Sequence, residues 1–155
     1  MQAAFRKIGL VGRSQQSGLQ EVLQQLLGLL QARGLEVMLE DRLGEVLPDY
    51  NQRLASRDEI GQEADLIIVV GGDGSLLSAA RTLASYETPV LGINRGRLGF
   101  LTDITPDEMA QRIPEVLDGK FERESRFLLD ADVRRDGHVM GRADALNDVV
   151  VNSGT

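Results

Sequence analysis

A carboxylate set among glycines is the first feature of this sequence with chemistry in it. Asp73 lies in the run Gly71-Gly72-Asp73-Gly74, with Ser75 next. Glycine lets a backbone approach a ligand without a Cβ in the way and permits positive φ. The N–H groups at the start of a helix, with the helix dipole behind them, favour an anion. Gly71, Gly72, Gly74 and Ser75 are therefore candidates for a loop around phosphate. A carboxylate in such a loop repels phosphate, so Asp73 needs another task. It can hold a hydroxyl, take a proton from it, or anchor a divalent cation. A plain structural reading stands beside these: a tight turn in which Asp73 caps a helix starting at Ser75.

The flanking segments decide how that loop is presented. Leu66-Ile67-Ile68-Val69-Val70 has no polar alternation, as expected of a strand buried on both faces of a parallel sheet. A helix is expected from Ser75 to Ser85 and a further buried strand from Pro89 to Asn94. Upstream, Lys7 to Gly12 reads as a strand. Leu19, Val22, Leu23, Leu26, Leu27, Leu29 and Leu30 then recur at helical spacing over residues 18–33. Gly34 falls where a helix C-cap belongs, and Leu35 to Leu39 reads as a second strand. Residues 41–63 are polar and contain Gly44, Pro48 and Gly61, which predicts a long loop with a short helix. This order of elements predicts an α/β fold with a doubly wound, Rossmann-like parallel sheet. Ligands bind such sheets at the carboxyl ends of the strands, where the glycine run falls.

Beyond residue 100 the pattern changes. A helix is expected over 106–118, with Pro106 in its first turn and Gly119 at its end. Arg126–Val133 and His138–Leu146 are strand-like and flank Asp136-Gly137, a hairpin signal. Asp148–Val151 is a third strand-like run. With no helix between them, these predict the start of an antiparallel, β-rich sandwich domain. The organisation expected is an α/β nucleotide-binding domain over 1–100, a connecting loop and helix over 101–120, and the first strands of an incomplete second domain over 121–155. Three short strands without a covering layer are marginal, so the chain is expected to be truncated inside that domain.

Composition narrows the class. A net charge of −7 argues against a nucleic-acid partner, which needs clustered Lys and Arg, but leaves room for a small phosphorylated ligand. Apolar residues at 42% and charged residues at 26% are the mixture of a globular protein. Without cysteine there are no disulfides and no Cys-ligated metal. The apolar run Ile8–Val11 is too short for a signal peptide. No stretch approaches the roughly 20 apolar residues that cross a bilayer, so a cytoplasmic protein with no membrane partner is expected. His138, the only histidine, follows the Asp136-Gly137 turn with no orienting partner in view, and it is set aside. Arg95 and Arg97 either contact phosphate or are solvated loop charges, and Arg81 reads as a surface residue. Asp103, Asp107 and Glu108 read as helix-start residues, so no metal site is assigned.

A buried strand running into Gly-Gly-Asp-Gly resembles the superfamily of NAD kinases, diacylglycerol and sphingosine kinases and phosphofructokinases, which share this motif at the phosphate-donor site. Gly92-Ile93-Asn94-Arg95-Gly96-Arg97-Leu98-Gly99-Phe100-Leu101 is similar to the NAD kinase run Asn-x-Gly-x-Leu-Gly-Phe-Leu. Ala145-Leu146-Asn147-Asp148-Val149-Val150 is similar to that family's Asn-Glu motif. The resemblance runs from Lys7 to the last residue. It implies phosphoryl transfer from ATP, or in some members polyphosphate, to the 2′-hydroxyl of the adenosine ribose of NAD, giving NADP. It implies Mg²⁺ or another divalent cation with the ATP, and a homodimer or homotetramer formed through the β domain. By the same resemblance, Asp73 accepts the hydroxyl proton and Gly74 lines the same pocket, while Asn147 and Asp148 hold the NAD.

This sequence departs from the family's pattern twice. Asp148 stands where the family usually has Glu, which draws the carboxylate back by one methylene. The family's Thr-Gly-Ser-Thr-Ala-Tyr segment would fall beyond Thr155, so the chain as given is expected to be inactive or nearly so. No Gly-Thr-x-Asn-Asp-type lipid kinase motif follows the strand. A lipid kinase-like catalytic domain and a non-catalytic nucleotide-binding regulatory module are the alternative readings.

Overall fold

A computed structural model describes residues 4–15, 17–51, 53–95 and 103–152. The chain divides into two compact units, Met1–Arg123 and Glu124–Thr155. In the first, five parallel strands form one sheet: β1 (Lys7–Gly12), β2 (Glu36–Glu40), β3 (Leu54–Ala55), β4 (Leu66–Gly71) and β5 (Val90–Asn94). Their order across the sheet is β3-β2-β1-β4-β5. The chain builds outward from β1 to β2 and β3, then crosses back to place β4 on the other side of β1. Among the described residues four α-helices connect or flank the strands: α1 (Leu19–Ala32), α2 (Arg57–Glu63), α3 (Asp73–Leu83) and α4 (Met109–Leu117).

The apolar run of β4 explains itself in this setting. All six of its residues are buried. Leu66, Ile68 and Val70 join the core shared with Leu19, Leu23, Leu26 and Leu30 of α1 and with Met109, Ile113 and Leu117 of α4. Ile67 and Val69 face the other way, among Ile60 of α2 and Leu76, Ala79 and Leu83 of α3. Side chains alternate along the strand as in any sheet, but both faces are covered, so no polar position is left. Each fully buried Leu or Ile contributes about 1.5–3 kcal/mol relative to exposure. This is the doubly wound arrangement expected from the sequence.

Local signals set the element ends. Gly34 follows α1 at φ +67, a left-handed position that suits glycine. Ser56 caps α2 in a reciprocal box, its Oγ accepting from Glu59 N at 3.2 Å while Glu59 Oε2 accepts from Ser56 N at 2.7 Å. The expected loop over 41–63 holds α2, a short 3-10 turn at Asp41–Leu43 and the two-residue strand β3. The helix expected over 106–118 opens with a 3-10 turn at Pro106–Glu108 and continues as α4, whose buried face joins the first unit's core. No helix among the described residues is long and apolar enough to cross a membrane.

The second unit is an antiparallel hairpin of β6 (Leu129–Arg135) and β7 (His138–Ala145). Asp136 and Gly137 both have positive φ, at 51° and 78°, as a two-residue hairpin turn requires. The strand expected over Asp148–Val151 is not formed among the described residues. Val149, Val150 and Val151 are exposed coil. Their β-branched composition favours extension, but a strand needs a ladder partner, and none is described for them.

Candidate functional site

The order of the sheet reverses between β1 and β4, and that switch point is where open α/β sheets bind ligands. β1 ends there at Gly12 and β4 at Gly71. The two strand ends are tight. A Cβ on Gly12 would lie 2.9 Å from the Val70 carbonyl oxygen, so only glycine fits. Gly71, Gly72, Asp73, Gly74 and Ser75 thus come together at the mouth of the switch point, as the sequence suggested.

Helix α3 begins at Asp73 itself, two residues earlier than expected, with Gly72 as its N-cap. Asp73 is therefore inside the first turn and does not precede the helix as a cap. Ser75 N and Leu76 N close on the Gly72 carbonyl at 3.1 and 3.2 Å, which sets that turn. The first N–H groups of a helix have no partner in its hydrogen-bond ladder and project out of its N-terminal end. Ser75 is buried at 5% exposure, whereas Gly72 and Asp73 are part-exposed and Gly74 is exposed.

Gly72 and Gly74 are not there for backbone strain. Gly72 is extended, at φ −101 and ψ −168, which any residue adopts. A Cβ on Gly72 would meet nothing within 4 Å, and one on Gly74 would meet only Arg13 Nη2, at 4.0 Å. Nothing inside the described protein forbids side chains at these two positions. What their absence provides is room for a ligand to approach the backbone.

Two guanidinium groups flank the mouth. Arg13, the residue after β1, reaches toward Gly74. Arg95, after β5, approaches Gly18 ahead of α1, where a Cβ would lie 2.9 Å from its Nη2, and its N–H donates to the Gly71 carbonyl at 2.9 Å. Arg97 lies outside the described residues, with the whole run Gly96–Leu101. Arg81 is exposed on α3. Asp103 binds back to the sheet, its Oδ2 accepting from Gly92 N at 2.9 Å, and Glu108 closes a capping box with Thr105. His138 is exposed in the hairpin, with Nδ1 2.9 Å from the Asp136 carbonyl oxygen.

Asn147 and Asp148 belong to the second unit, where both are exposed just after β7. They are close to each other in the chain and separate from the glycine loop's unit.

One charged residue at this edge escaped the sequence reading. Glu40, the last residue of β2, is only 3% exposed. Its carboxylate accepts from Gly12 N at 3.2 Å and pairs with Arg57 at 2.9 Å. In dinucleotide-binding sheets an acid near this strand end meets a ribose hydroxyl. Here that carboxylate is spent on the protein itself. A charge directly following the apolar Val37-Met38-Leu39 was the signal available in the sequence.

Fold and site together define an open, doubly wound α/β domain with a glycine–aspartate loop at its switch point. The family model of the ATP-NAD kinase N-terminal domain matches residues 8–121. The chain belongs to the NAD kinase family. An NAD kinase of Chromohalobacter salexigens is 55% identical over 150 residues, covering 97% of this chain and 51% of that protein. An NAD kinase of Pseudomonas putida is 53% identical over the same shares. Yeast NADH kinase, solved in complex with NADH, superposes with a TM-score of 0.77 at 17% identity, over 94% of this chain and 50% of that one. The chain spans about half the length of the curated relatives it matches.

Proposed function

We propose that this chain is part of an NAD kinase, which transfers a phosphoryl group from ATP, or polyphosphate, to the 2′-hydroxyl of the adenosine ribose of NAD. The observation that carries the reading is Asp73 in the first turn of α3 at the switch point, beside Gly72 and Gly74, whose missing side chains leave open space. In this reading Asp73 accepts the proton of the attacking hydroxyl. A secondary alcohol is a poor nucleophile, and a positioned base contributes about 10²- to 10⁴-fold. Gly71, Gly72, Gly74 and the helix N-terminus cradle phosphate, with Arg13 and Arg95 as the cations flanking them. Asn147 and Asp148 hold the NAD.

The donor set also bears on the divalent cation. Among the described residues no group of three or more His, Cys, Asp or Glu could cage a metal. A single carboxylate beside a phosphate loop suits Mg²⁺, which keeps several waters and binds through one or two carboxylates plus substrate phosphates. The cation would arrive with the triphosphate and would neutralise charge on the transferring group.

The reading extends to a cytoplasmic homodimer or homotetramer, an assembly that light scattering reads directly. The deciding experiment incubates a polypeptide of the relatives' full length that carries this chain with NAD, ATP and Mg²⁺. NADP is the expected product. Its absence, with phosphorylation of a diacylglycerol instead, would favour the lipid kinase alternative. Binding of NAD and ATP without turnover would favour the regulatory module.

A further inference from the structure

The partly buried ion pair of Arg57 and Glu40 reaches the helix that opens with Asp73. Arg57, the first residue of α2, donates from Nε to Glu40 Oε1 at 2.9 Å and from Nη2 to Oε2 at 3.3 Å. The other arm of its fork points at α3. Nη1 lies 3.3 Å from Ser78 Oγ, 3.2 Å from Thr82 Oγ1 and 3.5 Å from the Ser78 carbonyl. Thr82 is itself tied to its helix, its Oγ1 lying 3.1 Å from the Ser78 carbonyl. Glu40 meanwhile holds the N–H of Gly12 at the end of β1. One guanidinium–carboxylate pair thus joins the ends of β1 and β2 to the flank of the helix that opens with Asp73. Ser78 lies about 7.5 Å along the helix axis from Asp73.

Stability alone is a weak reason for such a pair. Replacing a buried ion pair with apolar side chains of similar volume is often neutral or stabilising. What the planar fork supplies is direction, two elements held at fixed angles by one side chain, and a lysine head cannot do this.

We infer that Arg57, held by Glu40, is a positioning residue that fixes α3, and with it Asp73, against the ends of β1 and β2. The inference rests on the NAD kinase reading above. A misplacement of a reacting group by about 1 Å can cost about 10²-fold in rate even when the mutated residue is remote from the chemistry.

The test uses the relatives'-length polypeptide, wild type and with Arg57→Lys, Arg57→Met or Glu40→Gln, assayed for NADP formation alongside thermal melts. The expected result for Arg57→Lys and Arg57→Met is a kcat per folded molecule lowered about 10- to 100-fold, with KM for NAD and ATP held within about twofold. Glu40→Gln, which keeps the shape but not the charge, is expected to fall between these variants and wild type. A merely structural role would lower the melting temperature and leave kcat per folded molecule unchanged, and that result overturns the inference. Where Arg57→Met does not fold, Arg57→Lys decides by the same criterion. A wild-type protein that forms no NADP removes the functional reading and this inference with it. A wild type that turns over, beside variants that do so equally, removes the inference alone.

Discussion

The two units of this chain use strands of similar length and bury them very differently. β4 in the first unit has six residues, all buried. β6 in the second has seven, six of them exposed and the other intermediate. β4 has a strand on either side and helical residues packed on each face. Among the described residues β6 has β7 as its one strand neighbour. Strand propensity is present in both, so it is not what separates them. What separates them is the number of layers, because an apolar side chain contributes to stability only when another layer takes it out of water. Chemistry divides along the same line. The candidate base and phosphate loop sit on the well-packed unit, where a rigid scaffold can hold them, and the proposed NAD contacts belong to the second unit, just after β7.

The largest effect expected from this division is catalytic. In a polypeptide of the relatives' length, Asp73→Asn is expected to lower kcat about 10²- to 10⁴-fold. Asn147→Ala is expected to act on KM for NAD, by about tenfold, the worth of one lost hydrogen bond, with kcat little changed. Steady-state kinetics of NADP formation reads both. Unchanged turnover in a folded Asp73→Asn protein would falsify the base assignment and move the chemistry elsewhere.

Next comes the packing contrast. Ile68 is fully buried at the centre of β4, whereas Met140 on β7 is 63% exposed. Ile68→Ala is expected to destabilise the first unit by about 2–5 kcal/mol, through lost transfer energy and the cavity left behind. Met140→Ala is expected to change stability by less than about 0.5 kcal/mol. Denaturant melts of the two variants make the comparison. Equal losses would show that the hairpin's side chains are covered in solution.

A smaller loss is expected from Gly12→Ala. The new Cβ would sit 2.9 Å from a backbone oxygen of β4, which cannot swing aside as a side chain would. Overpacking of this kind costs about 1–3 kcal/mol. The strain falls at the switch point, so a loss of turnover beyond what the melting curve explains is also expected. A variant as stable and active as wild type would mean that the strand ends are looser than described.

Much of the first unit was legible because its signals are local. The unbroken apolar run of Leu66–Val70, the heptad-like leucines of α1 and the glycines around Asp73 each declare themselves within one segment. Elements defined by a distant partner were not. β3 is two residues long, too short for any periodicity, and exists because Leu39 and Glu40 pair with it. The Glu40–Arg57 pair joins residues that are 17 apart in the chain and lie on different elements, so neither residue points to the other in sequence. The strand expected over Asp148–Val151 failed for the converse reason: its residue types were right, and no ladder partner accompanied them. Asp73 itself was found by residue type and spacing, but its place inside the first turn of α3 needed the backbone path from β4.

The smallest effect concerns acid. Arg53 holds Glu63 in a two-pronged pair, its Nη1 and Nη2 lying 2.7 and 2.6 Å from the two carboxylate oxygens. Those hydrogen bonds, helped by the charges of Arg53 and Lys7, lower the Glu63 pKa from 4.5 to about 2. Glu59, Glu108 and Asp118 are lowered too, the first two chiefly by backbone N–H groups at helix starts and the last by Arg33. All four belong to the first unit. A carboxylate with a depressed folded pKa contributes stability that is fully present above its unfolded value and is lost as pH falls toward the folded one. The first unit is therefore expected to weaken between about pH 4.5 and about 2. Arg53→Met removes the main cause for Glu63. The variant should melt slightly lower than wild type at neutral pH, by the modest amount typical of exposed pairs. The gap should close as pH falls through about 2, below which Glu63 is protonated in both. Thermal melts across that range decide it, and a gap that persisted at the acid end would mean that Arg53 acts through packing of its stem and not through Glu63.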